Sequence, residues 1–274
     1  MTAGPLLPNV LAFTVPLILS GVLQLLYNSA DIIVVGRFAD SVAMASVGAT
    51  TSLIQLLVSM LMGLSVGASV AVARATGAGD RDGVRCAVHT SMALAVLSGV
   101  LLGALLLLLS APLLELMGCP ENVLAGAKLY LNIYAVGLPA SFIYNYGAAI
   151  LRAVGDTKRP LYYLTISGVV NIILNVLLVA GLKLSVAGVA IATIVSEFIS
   201  AALVLASLIT NHGDIRFEPK KTRVERRSLS LILRIGTPAG LQSSMFSISN
   251  VLIQSAINSF GAAAIAGNTA AASI

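Results

Sequence analysis

Long apolar runs, separated by short polar and charged stretches, dominate this chain of 274 residues. Six stretches contain no charged side chain: 1–30, 41–73, 86–114, 129–151, 161–182 and 235–274. In a seventh, between Lys183 and Asp214, the only charge is that of Glu197. A bilayer core about 30 Å thick is crossed by about 20 apolar residues in a helix, so each stretch is long enough to cross it.

The pattern predicts seven membrane-spanning helices, here called spans 1 to 7, and the start of an eighth helix. The spans cover about 9–36, 44–73, 87–109, 128–151, 161–182, 185–209 and 233–259, and the eighth helix begins near 262. The fold class is therefore an all-α integral membrane protein.

Composition and charge support this class and exclude others. The chain is 58% hydrophobic and 10% charged, whereas soluble domains carry about 25% charged residues. The net charge of +5 does not indicate a nucleic-acid partner, because the basic residues are interrupted by spans. Neither cysteine, Cys86 or Cys119, has metal-ligand spacing around it, so we expect no metal site.

Lysine and arginine lie on alternate sides of the predicted spans. The loops after spans 2, 4 and 6 hold thirteen of them, whereas the loops after spans 1, 3 and 5 hold three, Arg37, Lys128 and Lys183. Because basic loops stay in the cytoplasm, this bias predicts a cytoplasmic N-terminus.

The longest polar stretch and a short internal similarity divide the chain. Leu11–Pro16 (LAFTVP) is similar to Leu233–Pro238 (LRIGTP), and six spans separate the two copies. Both copies therefore cross the membrane in the same direction, as in parallel-repeat transporters. We predict an N-terminal six-helix lobe at 1–210, a basic cytoplasmic linker at 211–232, and helix 7 with the start of helix 8 of a second lobe at 233–274.

Two ionisable residues fall inside spans, Asp31 in span 1 and Glu197 in span 6. Such groups are costly in a membrane and indicate functional sites. Asp31 ends a stripe of polar residues that recur every three or four positions, on one helix face. The stripe consists of Ser20, Gln24, Tyr27, Asn28 and Asp31.

Other polar residues lie at the depth of Asp31. Asn171 and Asn175 are one turn apart in span 5, Thr193 lies in span 6, and Tyr130 begins span 4. An oxygen-rich cluster of this kind predicts a proton or cation site in the outer half of the lobe. The alternative for the asparagine pair is hydrogen bonding between helices without a transport role.

The segment Gly63-Leu64-Ser65-Val66-Gly67 matches the serine-hydrolase elbow only in form. That elbow needs a strand–turn–helix context and partner His and Asp residues. Gly63, Gly67, Ala71 and Ala75 instead form a ridge of small residues suited to helix packing. We therefore expect no enzymatic activity.

Five segments, in this order, resemble the multidrug and toxic compound extrusion (MATE) family. They are GPLLPNVLAFTVPLILSGVLQLLYNSADIIVVGRFADSVAMASVGA, GLSVGASVAVARATGAGDRDGVR, APLLELMGCPENVLAGAKLYLNIYAVGLP, LRAVGDTKRPL and IGTP. The fourth resembles the cytoplasmic R-A-x-G-D-T-K-x-P turn and is the most specific. The resemblance covers essentially the whole chain.

The resemblance implies an antiporter of twelve helices in two lobes, so we expect this chain to be a fragment. Such antiporters export cationic or amphipathic drugs through the plasma (inner) membrane by alternating access, in exchange for H⁺ or Na⁺, without a further cofactor. An alternative is a lipid-linked oligosaccharide flippase of the wider superfamily, which should line its cavity with more basic residues.

The resemblance also implies coupling residues. Asp31 matches an aspartate of helix 1, Asn171 an asparagine of helix 5, Thr193 a threonine of helix 6 and Tyr130 a tyrosine of helix 4. Asn175 stands where the family often has Asp, which removes an anionic ligand. Three accessory residues complete the predicted site: Glu197, Gln24 and Asn28.

The topology can be tested with the two cysteines. Cys86 should face the cytoplasm and Cys119 the outside, because they flank span 3. An impermeant thiol reagent added to intact cells should modify Cys119 and leave Cys86 unmodified, as read by mass spectrometry. Modification of Cys86 from outside would reverse the predicted orientation.

Overall fold

The computed structural model describes residues 6–211 and 213–272 as a bundle of long helices. These are α1 (Leu6–Phe38), α2 (Ser41–Gly77), α3 (Arg81–Leu116), α4 (Glu121–Ala153), α5 (Lys158–Asn175), α6 (Ser185–Ile209), α7 (Arg226–Asn258) and α8 (Ala262–Ala272). A π-helical turn, Val176–Gly181, extends α5, and a 3₁₀ turn, Pro219–Lys221, lies in the linker. The described residues form no strand, so the predicted all-α class is confirmed.

Short connections fix the directions of the first five helices. Asp40 and Asp80 begin α2 and α3, and their carboxylates accept the amides of Ala43 at 2.8 Å and Gly83 at 2.9 Å. Gly79 adopts a φ of +68° in the turn between α2 and α3, where glycine is favoured. Connections this short make sequential helices antiparallel.

The turns after α2 and α4 and the linker after α6 therefore lie at one end of the bundle, here called the basic end. The opposite end carries the turns after α1, α3 and α5. Every second helix thus begins at the basic end, as the alternation of charge predicts.

Six helices, α1 to α6, are long and apolar enough to cross a membrane, judged by length and composition over the described residues. The predicted seventh span exists as helix α7 but falls outside this group. Five polar side chains of α7 are buried: Ser228, Ser244, Ser247, Gln254 and Asn258. Ser247 forms a hydrogen bond with Ser59 of α2 at 2.9 Å, and Asn258 donates to the Met117 carbonyl at 3.0 Å.

Glycines bring α7 against α2. A Cβ atom added to Gly63 or Gly67 would collide with the backbone of α7, at Gly240 and Ile232 respectively. The predicted small-residue ridge thus acts in helix packing. Because Ser247 pairs with Ser59 while Ile232 lies at Gly67, α7 is antiparallel to α2 and parallel to α1. The first helices of the two predicted lobes therefore run in the same direction.

Several helix bounds differ from the prediction. The predicted starts of spans 3 and 4, at 87 and 128, are wrong: α3 starts at Arg81 and α4 at Glu121. The start of span 7 at 233 is also wrong, since α7 begins at Arg226. Hydropathy detects only the apolar part of a helix, whereas its charged first turns extend beyond that part.

Span 5 is not one regular α-helix. The π-helical turn after Asn175 accommodates an extra residue. A tight connection follows, in which Lys183 has a φ of +53°. The change of helix type therefore coincides with a residue of the predicted site.

The linker is docked on α3 rather than free. Phe217 and Ile215 are buried, and the Phe217 ring lies 5.3 Å from the ring of His89. The Glu218 amide donates to Nε2 of His89 at 3.2 Å, and the Glu225 amide donates to Thr90 Oγ1 at 3.1 Å. The linker thereby joins the end of α6 to the start of α7 along a fixed path.

Cys119 lies half-buried in the turn between α3 and α4, and desolvation raises the pKa of its thiol. The thiol-labelling experiment should therefore be run at mildly alkaline pH, where more of the reactive thiolate is present.

Removing the Phe217 ring tests whether this ring holds the linker against α3. Phe217→Ala should loosen the linker, because loss of a buried phenyl ring costs about 3–5 kcal/mol. Trypsin should then cleave the purified full-length protein at Arg216 or Arg223 at least about tenfold faster, since cleavage follows local opening.

Val224→Ala is the matched control, because Val224 belongs to the same linker but is 53% exposed. Equal cleavage of both variants at the wild-type rate would show that Phe217 does not hold the linker.

Candidate coupling site in the six-helix bundle

Asp31 is buried between three helices and both of its carboxylate oxygens accept hydrogen bonds. Its side chain belongs to α1 and is only 8% exposed. Nδ2 of Asn175, from α5, donates to Oδ1, and the Thr193 hydroxyl, from α6, donates to Oδ2 at 3.4 Å. The predicted convergence of these three residues is therefore present in the structure.

The asparagines form a pair along α5. Nδ2 of Asn175 also donates to Oδ1 of Asn171 at 2.9 Å, as the one-turn spacing allows. Oδ1 of Asn175 and Nδ2 of Asn171 are buried, and neither forms a hydrogen bond with any described atom. An unsatisfied buried polar atom costs about 1–3 kcal/mol. Two of them beside a carboxylate indicate a site that interacts with more than its own side chains.

The oxygen atoms suit a proton or a hard cation. The carboxylate of Asp31, Oδ1 of Asn175 and the hydroxyl of Thr193 are oxygen ligands of the kind that hard cations prefer. No group of three or more His, Cys, Asp or Glu residues that could hold a metal ion occurs in the described ranges. Among the residues that these hydrogen bonds join, Asp31 can carry a charge, and Asn171, Asn175 and Thr193 are neutral.

Tyr130 lies close to this cluster without joining its hydrogen bonds. Its side chain is buried with Val34 and Val35 of α1, in a small apolar cluster at the outer part of α4. Its ring is stacked with that of Tyr134 at 6.2 Å between centroids. Tyr130 thus forms a wall of the site.

The three predicted accessory residues differ in their exposure and in their position relative to the site. Gln24 is exposed, so the structure does not bring it to the site. The side chain of Asn28 lies outside the described part of the chain. Glu197 is half-buried on α6, one turn from Thr193 and nearer the basic end.

The structure adds a contact that the prediction missed. The hydroxyl of Tyr27 forms a hydrogen bond with that of Ser196, which joins α1 to α6 one turn nearer the basic end than Asp31. The Tyr27 ring lies over Gly168 of α5, where an added Cβ would be 3.1 Å from a ring carbon. Tyr27 belongs to the polar stripe of span 1, and Ser196 follows Thr193 by three residues, so the spacing contained the signal for this pair.

This arrangement defines a multi-pass membrane protein with a buried carboxylate held by three helices. The MatE family model matches residues 16–177, more than half of the chain. The chain therefore belongs to the MatE family, the multidrug and toxic compound extrusion family that its motifs resemble. Proteins of this family are transporters, which confirms that the chain is not an enzyme.

Two relatives from Bacillus subtilis (strain 168) are named as probable multidrug resistance proteins. YpnP is 34% identical over 160 residues, 58% of this chain and 35% of that protein. YoeA is 32% identical over 261 residues, 93% of this chain and 56% of that protein. The chain thus spans between about a third and just over half of the length of these relatives.

A solved structure has the same fold. It is an inward-facing conformation of a multidrug resistance MATE family transporter of the MOP superfamily. The TM-score is 0.83 at 27% sequence identity, over 90% of this chain and 57% of that one. The likeness confirms the helical architecture over nearly the whole chain.

The contribution of the Asn175 side-chain amide to the stability of the bundle can be measured. Asn175→Ala removes its hydrogen bonds to Asp31 and Asn171 at once, so we expect a loss of about 1–3 kcal/mol of stability. Thermal unfolding of the purified full-length protein in detergent should show a lowered midpoint.

Thr165→Ala is the control on the same helix, because Thr165 is exposed and its hydroxyl bonds only the Leu161 carbonyl. If the two variants unfold with the same midpoint temperature, the Asn175 amide does not stabilise the bundle.

Proposed function

We propose that this chain forms the coupling lobe of an exporter of cationic or amphipathic drugs. It exchanges them for H⁺ or Na⁺ by alternating access. The observation that carries the proposal is the buried carboxylate of Asp31, which side chains of α5 and α6 hold in place on α1. The names of the relatives, probable multidrug resistance proteins, support drug export.

Asp31 joins α1 to α5 and α6 through hydrogen bonds, whereas much of α1 is exposed. Before Tyr27, most apolar side chains of α1 are exposed, and Leu7 and Leu25 are 70% and 68% exposed. Apart from Pro16, the buried side chains described in α1 lie beyond Tyr27: Asp31, Val34 and Val35. The charge state of Asp31 therefore acts on the position of α1 more than a charge elsewhere in the lobe would.

The cycle follows from this geometry. Charged Asp31 accepts the Asn175 and Thr193 hydrogen bonds and favours a cation in the adjoining space. Protonated Asp31 loses that attraction and can donate a hydrogen bond itself, so the local packing of α1 changes. Pro16 gives α1 a place to bend, because its ring removes a backbone hydrogen bond. Binding a proton or Na⁺ and binding a drug thus favour different forms of the same helix.

The electrostatics of the cluster favour H⁺ over Na⁺ as the coupling ion. Na⁺ competes well where several anionic ligands converge. Here Asn175 is neutral, and Asp31 is the one carboxylate of the cluster. A proton needs only that carboxylate.

The proposed setting is the plasma membrane, with the basic end and the N-terminus in the cytoplasm. The basic residues that flank the turns at this end, among them Arg81 and Lys158, and the docked linker then face the anionic cytoplasmic leaflet. Drugs would enter the transporter from the cytoplasm and be released outside the cell. The coupling ion would enter the transporter from the outside.

The first test fixes Asp31 in the neutral form. Asp31→Asn keeps the size of the side chain but cannot change charge, so we expect normal insertion and loss of gradient-driven dye efflux. Efflux of a cationic dye is measured in cells that make equal amounts of each full-length protein. The control is Asp82→Asn, since Asp82 is exposed in the first turn of α3. Wild-type efflux by the Asp31→Asn variant would contradict the proposed coupling.

The second test separates the ions. In proteoliposomes with the full-length protein, a pH gradient alone should drive efflux of the same dye, and a Na⁺ gradient alone should not. Efflux driven only by Na⁺ would show that the neutral Asn175 does not exclude a Na⁺ site.

A further inference from the structure

The turn between α4 and α5 forms one wall of a cavity that has no role in the proposed export cycle. This turn belongs to the segment LRAVGDTKRPL, the most specific of the five motifs. The cavity has a volume of about 420 Å³ and lies between the turn and the first part of α1. Its apolar wall includes Ala12 and Phe13, and its polar wall includes Gly155, Thr157 and Lys158. Pockets that bind small molecules have volumes of about 300–1,000 Å³, so the cavity is large enough for a ligand.

Thr157 lines this cavity with a hydroxyl group that lacks a hydrogen-bond partner. The residue stands at the N-cap position of α5 and is only 3% exposed. Threonine at an N-cap usually accepts a backbone amide of the first helical turn, but the Thr157 side chain forms no such bond. Its hydroxyl forms no other hydrogen bond within the described part of the chain. A polar group buried to this extent calls for a partner, and a ligand in the cavity can supply one.

The start of α5 makes this wall of the cavity positive. The first amides of a helix have no partner within the helix, and together with the helix dipole they attract anions, phosphate groups among them. Lys158 is the first residue of α5 and adds a full positive charge. It forms no ion pair with any residue that the structure describes. The wall therefore combines a free cation, a free hydroxyl and a helix N-terminus.

The acidic residue of the turn, Asp156, also lines the cavity, and its charge is neutralised locally. Its Oδ1 atom accepts the Arg159 amide at 3.1 Å, and its Oδ2 atom lies 3.2 Å from Nε of Arg159. Arg159 also donates to the hydroxyl of Ser207 in α6 at 3.4 Å. Since Asp156 and Arg159 are paired with each other, the charge left for a ligand is that of Lys158.

The cavity lies where the apolar part of the bundle meets its basic end. Phe13 belongs to the uncharged stretch 1–30, whereas Thr157 and Lys158 precede the uncharged stretch 161–182. From Lys158 toward the opposite end of α5, exposed side chains with apolar surface recur every three or four residues on one face of the helix. They are Tyr162, Ile166 and Val169. A molecule bound at Lys158 therefore has beside it an apolar surface that leads into the membrane.

We propose that this cavity binds the phosphate group of an anionic membrane phospholipid. Lys158, Thr157 and the first amides of α5 bind the phosphate, and the acyl chains follow the exposed face of α5. Because Ala12 and Phe13 form the opposite wall, the bound lipid contacts α1, the helix that carries Asp31. The inference concerns a site separate from Asp31 and does not depend on drug export.

Three probes separate the parts of such a ligand. Dioleoyl phosphatidylglycerol carries the phosphate and the acyl chains, dioleoylglycerol carries the chains alone, and inorganic phosphate is the anion alone. Native mass spectrometry of the purified full-length protein in detergent measures how tightly each lipid is retained. The wild type should bind phosphatidylglycerol at least about tenfold more tightly than dioleoylglycerol, because charge-assisted hydrogen bonds are strong. An equal concentration of inorganic phosphate should not displace the phospholipid, since the anion lacks the apolar contacts.

Two variants test the residues that bind the phosphate. Lys158→Gln removes the charge and should weaken binding of phosphatidylglycerol by about tenfold. Thr157→Val removes the hydroxyl with little change of shape and should weaken it by about threefold or more. Both should bind dioleoylglycerol within about twofold of the wild type. Lys220→Gln is the matched control, since Lys220 is exposed in the linker at the same end of the bundle and should leave binding unchanged.

Each contrary outcome would overturn the inference. If Lys158→Gln binds phosphatidylglycerol as tightly as the wild type, or if the wild type does not distinguish the two lipids, the cavity does not recognise the phosphate. If inorganic phosphate displaces the lipid at equal concentration, the site takes free anions rather than a phospholipid. If Lys220→Gln weakens binding as much as Lys158→Gln, the lipid is attracted by the basic end as a whole. Dye efflux enters none of these readouts, so the inference and the proposed function can fail separately.

Discussion

The hydrogen bonds at Asp31 are the constraint on which the lobe depends. A carboxylate cannot be buried among apolar helices without partners, since the cost of desolvation is several kcal/mol. Asn175 and Thr193 supply those partners from two different helices. Their side chains can reach the same carboxylate only if α1, α5 and α6 keep one relative depth and rotation. The second contact, between Tyr27 and Ser196, repeats the α1–α6 connection one turn away.

The rest of α1 is buried less than the part around Asp31. Most apolar side chains in the first two-thirds of α1 are exposed in this chain, which spans just over half the length of YoeA. The contacts at Asp31 and Tyr27 are polar, and polar contacts respond to a change of charge. Elsewhere the packing is close: α2 of the first predicted lobe and α7 of the second meet backbone to backbone at Gly63 and Gly240.

Sequence reasoning predicted the parts of this picture that depend on periodicity and depth. Asp31, Asn175 and Thr193 could be grouped because the antiparallel order of the spans places them at one level. Tyr130 lies beside this cluster, stacked on Tyr134, and its place in the coupling set stays a prediction. The prediction did not include the pairing of Tyr27 with Ser196, although the spacing of each from Asp31 and Thr193 contained its signal.

Other features had no signal in hydropathy. Phe217 and Ile215 are isolated apolar residues in a polar stretch, and only their burial against α3 shows that the linker is docked. The π-helical turn after Asn175 depends on local backbone geometry rather than on composition. The division into two lobes and the roles of the site residues stay predictions, because the fold is compatible with them without testing them.

The central claim is that Asp31 itself takes up and releases the coupling proton. Infrared difference spectroscopy on the full-length protein in membranes measures this directly, through the carbonyl band of a protonated carboxylic acid that appears on acidification. The account predicts a band in the wild type that is absent from the Asp31→Asn variant and is kept by the Asp82→Asn variant. The same band in the Asp31→Asn protein would contradict the account, because the proton would then be carried by another group.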